Sequence, residues 1–188
     1  VRMATHVATP AAVRGIYMTS CVASVPSLRA KLVGLIDETE LNSVVIDIKS
    51  FDGYLSFEPK DEKLKQAAGG CFVKDLQDFI DLLHEKGIYV IGRVAAFQDI
   101  LQVKKYPELA VKKASATSTV WGDHKGIPWI DASARSHWDY LVTIAKESHE
   151  IGFDETNFDY IRFPSDGNMK DIYYPWSASQ KKSEVKSC

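Results

Sequence analysis

Apolar residues fall into short continuous runs that alternate with stretches repeating at helical spacing. Gly15-Ile16-Tyr17-Met18-Thr19 is short, apolar and partly β-branched and predicts a buried strand, and Ser27 to Thr39 repeats Leu28, Leu32, Leu35 and Ile36 as a helix does. Ser43 to Lys49 predicts a second strand, apolar until it ends in charge. From Phe72 to Lys86 the apolar positions Phe72, Leu76, Phe79, Ile80 and Leu83 form one helical face, and Gly87 sits where a C-terminal cap glycine belongs. Gly87 to Val94 reads as a third strand. Ala134 to Gly152 reads as a helix with Trp138, Leu141, Val142 and Ala145 on one face. Phe153 to Phe163 is the fourth strand, broken by Pro164-Ser165-Asp166-Gly167. Residues 98–130 read as irregular, with at most a short helix around Pro107 to Lys113. Residues 1–12 lack periodicity and read as a tail or linker, leaving 13–188 as the domain.

The order βαβαβαβ implies a parallel sheet with right-handed crossovers, and near-continuous apolar strands fit burial on both faces. A doubly wound sheet and a barrel share this signature. Neither GxGxxG nor GxxxxGK[ST] follows any strand, so the expectation is an α/β fold of the (β/α)8 TIM-barrel type. Four strands and three major helices fill 188 residues, whereas such a barrel takes ~250, so the chain covers about the first four βα units. Strands one and four then present open edges, for the remaining barrel half or a second copy to cover.

Composition narrows the partners. Net charge is −2 with a pI near 6.2, which gives no positive field for nucleic acid. No stretch approaches the ~20 apolar residues of a membrane span, and no signal peptide opens the chain, although Val1 in place of Met points to trimming. Cys21, Cys71 and Cys188 are odd in number and lack CxxC spacing, indicating neither a zinc ribbon nor a disulfide framework; Cys21 reads as a small apolar filler. His6, His84, His124, His137 and His149 show no HExxH spacing, so no metal or other cofactor is expected.

Charge gathers at the C-terminal strand ends, the active face of a barrel. Alternation places Asp47 and Lys49 on one face of strand two and Asn157 with Asp159 on one face of strand four; Arg93 joins them from strand three. Asp159 lies between large apolar residues in Asn157-Phe158-Asp159-Tyr160-Ile161-Arg162-Phe163, where solvent alone gives no reason for a carboxylate. Arg162 or Arg93 nearby would hold it ionised. Asp47 is the best second carboxylate, with binding of a substrate's polar group as its other role. Asp166 follows in the next loop. Tyr17, Phe97, Trp129 and Tyr160 are aromatics near the mouth, Trp129 foremost as a binding candidate because it lies in a loop just before Asp131.

The run Gly152 to Gly167 also resembles the signature of the bacterial Putative glycosyl hydrolase domain family, (β/α)8 proteins grouped with the alpha-amylase-like glycosidases. Val13-Arg14-Gly15-Ile16-Tyr17, Asp47-Ile48-Lys49 with Asp52-Gly53, and Trp129-Ile130-Asp131 match the same family in the same order, so the likeness spans roughly residues 13–175. Thr156 and Asn157 depart conservatively from the more usual Ile and Gln. The resemblance implies a carbohydrate substrate, an extracytoplasmic or cell-surface setting, and Asp159 at the position of the usual strand-four nucleophile. The partner acid in such enzymes comes from a later strand.

The expected activity is hydrolysis of polysaccharide glycosidic bonds by two carboxyl groups, with Asp159 as nucleophile or base and Asp47 as second catalytic candidate. Tyr17, Lys49, Arg93, Trp129, Asp131, Asn157, Arg162 and Asp166 are the expected substrate-binding residues. A non-catalytic carbohydrate-binding or pseudoenzyme barrel is the alternative. A Schiff-base role for Lys49 is disfavoured, because a lysine beside carboxylates stays protonated.

Overall fold

The computed structural model describes residues 3–179. Four parallel strands, β1 (Gly15–Met18), β2 (Ser43–Lys49), β3 (Tyr89–Ala95) and β4 (Glu155–Asp159), form one sheet in the order β1-β2-β3-β4. The helices are α1 (Ser20–Ala23), α2 (Pro26–Asp37), α3 (Leu76–Glu85), α4 (Ile100–Lys105) and α5 (Arg135–Ile151). This is the α/β pattern of four consecutive units of a (β/α)8 barrel, with β1 and β4 at the sheet edges. Among the described residues, no helix is long and apolar enough to cross a membrane. Lys181, Lys182, Lys186 and Cys188 lie outside the described residues.

The chain divides into two compact units: one takes residues up to Lys49, Tyr54–Val94 and Val142–Asn157, the other Ser50–Gly53, Ala95–Leu141 and Phe158 onward. In the first, one sheet face is the core, with Met18, Val44, Ile46, Ile48, Val90 and Val94 buried. Gly92 belongs to this row, and its missing side chain is what lets its neighbours close. A Cβ there would stand 2.0 Å from Ile48 Cδ1 and 2.9 Å from Phe153 Cδ1. Gly92→Ala is therefore expected to destabilise by about 1–3 kcal/mol through overpacking, read as a lower urea midpoint at unchanged slope.

Several expected boundaries and faces are corrected. The helix expected from Phe72 starts at Leu76, because the Val73 N–H bonds to Ser56 O at 2.8 Å and holds that stretch against the preceding loop. On α2 the buried positions are Val33 and Ile36, while Leu28 and Leu35 are exposed. On α5 the buried row is His137, Leu141, Ile144 and Ser148, while Val142 is exposed. Within 98–130 the helix is Ile100–Lys105, capped by Asp99 Oδ1 on the Gln102 N–H at 2.8 Å, and Pro107 opens only a single 3₁₀ turn. β4 ends at Asp159 rather than Phe163, since Tyr160 turns to φ +54.

The segment before β1 is tied down through Asp154. Asp154 Oδ1 accepts the Val7 N–H at 2.7 Å, and Oδ2 accepts from Val90 N at 2.8 Å with His84 Nε2 at 3.0 Å. His6 stacks on His149 at 4.1 Å. Cys21 is also not a filler: it forms a disulfide with Cys71, 50 residues on, so the pairing missed in the cysteine spacing is corrected by the fold.

Candidate active site

In the first unit the register brings three polar side chains to the C-terminal end of the sheet. Tyr17 pairs with Val45, and Asp47 pairs directly with Arg93. The Tyr17 hydroxyl donates to Asp47 Oδ2 at 2.5 Å, and Arg93 Nη1 donates to Oδ1 at 2.8 Å. The guanidinium also lies 5.8 Å from the centre of the Tyr17 ring. Asp47 is only 4% exposed, and Tyr17, on the edge strand, is half-exposed. Each Asp47 oxygen thus already accepts one hydrogen bond, one from Tyr17 and one from Arg93. Between Asp47 and Lys49 the register slips, a bulge of the kind that re-aims side chains beside sites. Lys49, expected to face substrate, is instead fully buried. Asn157 is exposed on β4.

The second unit holds the other candidates. Asp159, the last residue of β4, is exposed; its carbonyl accepts the Ala96 N–H at 2.8 Å and its Oδ1 accepts the Tyr160 N–H at 2.7 Å. Tyr160 is the one non-glycine with positive φ among the described residues. A strained residue immediately after a strand-end carboxylate is a feature that clusters at working sites. Arg162 stacks over Trp129 at 5.1 Å and Tyr160 at 5.6 Å, and its Nη1 donates to Ser165 Oγ at 2.9 Å. Asp166 is exposed in the following loop.

Two expected contacts with substrate are corrected by burial. Trp129 is 2% exposed, its indole N–H pointing at Asp123 Oδ2 at 3.3 Å, so its ring supports Arg162 and Tyr160 from beneath. Asp131 is fully buried and saturated: Oδ1 accepts from Ser133 N and Ser177 Oγ, Oδ2 from Trp176 N and Ser177 N. It fixes the segment after β4 to the loop before α5. Nearby, burial and secondarily the charge of Asp131 push the Tyr174 phenol up to about 12. The residues that sequence reasoning passed over here, Asp123, Trp176 and Ser177, carry no local motif.

Residues 15–187 match the model of a family described as Putative glycosyl hydrolase domain. A crystal structure of a hypothetical protein from Ruminiclostridium thermocellum ATCC 27405 is 33% identical, with a TM-score of 0.80 over 92% of this chain and 87% of that one. A GH31 alpha-xylosidase from a soil metagenome, complexed with xylose, is similar at 15% identity and a TM-score of 0.55, over 86% of this chain and 24% of the enzyme. Alpha-L-fucosidase isoenzyme 2 from Paenibacillus thiaminolyticus is similar at 13% and 0.57, over 91% and 26%. The chain thus spans about a quarter of either glycosidase, and at these identities the likeness is one of fold. No curated protein matches the chain.

Proposed function

Because the chain belongs to the Putative glycosyl hydrolase domain family, we propose that it hydrolyses glycosidic bonds of a polysaccharide with Asp159 as nucleophile or general base. The observation that carries this is the exposed carboxylate at the C-terminal end of β4, held at a strained turn by the φ of +54 at Tyr160. As nucleophile, Asp159 attacks the anomeric carbon while the bond to the leaving oxygen breaks and that oxygen takes a proton from an acid; water then cleaves the glycosyl ester. As base, it takes a proton from the water that attacks instead. Asp47, with both oxygens engaged, serves as a positioning residue that holds Tyr17 and Arg93 toward substrate. In this reading the proton donor is a carboxyl group other than Asp159. Arg162 and Asp166, in the same unit as Asp159, are its substrate-binding candidates in this reading.

The engagement of Asp47 also favours a second reading, a carbohydrate-binding barrel without hydrolysis. Both are tested by measuring glycan binding and reducing-end release with the full-length protein and its Asp159→Asn form. Release by the parent that the variant lacks supports catalysis. Binding without release by either supports the binding module, and equal release by both overturns the role of Asp159.

A further inference from the structure

We infer that Arg162 is the recognition residue for a carboxylate on the substrate, so that the glycan cleaved at Asp159 is an acidic one built on uronic acid. The inference rests on the carbohydrate reading above and names its substrate class. Arg162 is exposed and lies three residues after Asp159, on the segment that turns away from β4 at Tyr160. Its guanidinium carbon is 5.1 Å from the centre of the Trp129 ring and 5.6 Å from that of Tyr160, and the two rings meet edge to face with 6.0 Å between centres. Trp129 is buried, and its backbone is joined to the strand ends. It bridges Gln98, the Ile130 N–H bonds to Phe97 O at 2.8 Å, and the Ala96 N–H bonds to Asp159 O at 2.8 Å. The corner that holds the guanidinium is thus built onto the chain that carries Asp159.

Both hydrogen bonds made by the guanidinium use one nitrogen. Nη1 donates to Phe163 O at 3.2 Å and to Ser165 Oγ at 2.9 Å, which takes up the two hydrogens it carries. Nε and Nη2 form the edge that meets a carboxylate with two parallel N–H···O bonds, and among the described residues that edge donates to nothing. Nor is any described carboxylate an ion-pair partner of Arg162; its partners are two rings, one carbonyl and one hydroxyl. A long side chain loses rotamer entropy when it is held, and here the contacts that hold it leave its charge uncompensated. Because the fork is set before a ligand arrives, docking a carboxylate on it costs little further ordering. A planar carboxylate fills both positions of that edge with matching charge, which a neutral hydroxyl does not. The cation also offsets the repulsion that a substrate carboxylate meets from Asp159.

The test is titration calorimetry of the full-length protein with short oligosaccharides of galacturonic, mannuronic and glucuronic acid, each as the free acid and as its methyl ester. Esterification removes the charge and keeps the sugar. The parent is expected to bind one of the acids about 10- to 100-fold more tightly than its ester, the difference shrinking as salt is added. In Arg162→Gln that preference should fall to about 2-fold or less, and Arg162→Lys, which keeps the charge without the fork, should lie between. Equal binding of acid and ester by the parent, a variant that weakens acid and ester together, or a preference confined to a sulfated oligosaccharide overturns the assignment. The parent's own comparison decides if the variants do not fold. If the preference is absent while Asp159→Asn still abolishes release from a neutral glycan, the hydrolase reading stands; if it is present and Asp159→Asn releases as the parent does, only the catalytic role of Asp159 falls.

Discussion

Asparagine at position 159 is expected to lower kcat of the full-length protein by ~10²–10⁴-fold, the range over which a positioned carboxylate acts in proton transfer or bond formation. Glycan affinity and melting temperature should stay near parental values. Asp159 is exposed, and its Oδ1 bond to the Tyr160 N–H can be made equally by the amide oxygen of asparagine, so the strained turn survives the change. The lesion is therefore chemical rather than structural. In an Asp159→Ala variant, azide should restore turnover by entering the space that the shortened side chain leaves. The anomer first released by the parent, followed by NMR, separates the two roles: retention assigns Asp159 as nucleophile, inversion as base. A variant that keeps parental kcat would remove Asp159 from the chemistry.

Asp159 stood out in the sequence as a carboxylate inside an apolar pattern, and the fold leaves it on the exposed face of β4 with Glu155 and Asn157, whereas depth and long-range pairing are not written locally. β2 emerged with its bounds intact, since Ser43 opens a continuous apolar run, Val44 to Ile46, that ends in charge. β4 did not, because Tyr160, Ile161 and Phe163 prolong the apolar pattern while the backbone turns away at Tyr160. Trp129 and Asp131 look like loop residues meeting a ligand, yet folding buries both, for three of the four donors on Asp131 lie about 45 positions away at Trp176 and Ser177. On α2, Leu28 and Leu35 satisfy helical spacing as well as Val33 and Ile36 do, and only the sheet beneath decides which row is covered. Asp154 escaped notice for a like reason: its partners Val7, His84 and Val90 meet only when the chain is folded.

The Cys21–Cys71 bridge gives the second large effect, on stability. Closing a 50-residue loop removes enough unfolded-chain entropy to be worth about 4 kcal/mol, so the Cys21→Ser, Cys71→Ser double variant should melt roughly 8–16 °C lower and unfold at lower urea. Reductant should shift the parent equally and leave the variant unmoved, which separates loss of the bond from loss of two side chains. The effect should also be uneven within the first unit. Between β2 and α3 the chain has only short stretches of regular structure, anchored by Leu55, Phe57, Leu64, Ala67 and Val73, whereas β2 and β3 pair along their lengths. Hydrogen exchange should therefore accelerate first over residues 54–73 and later in the strands, because the bridge fastens that stretch to the helix following β1. Uniform acceleration would mean that the loop and sheet unfold as one, and a double variant within about 1 kcal/mol of the parent would mean that the buried apolar side chains close the loop unaided. Because such bridges persist in oxidising compartments, protein made in a reducing cytosol should carry both thiols in alkylatable form and show the lower melting temperature until oxidised.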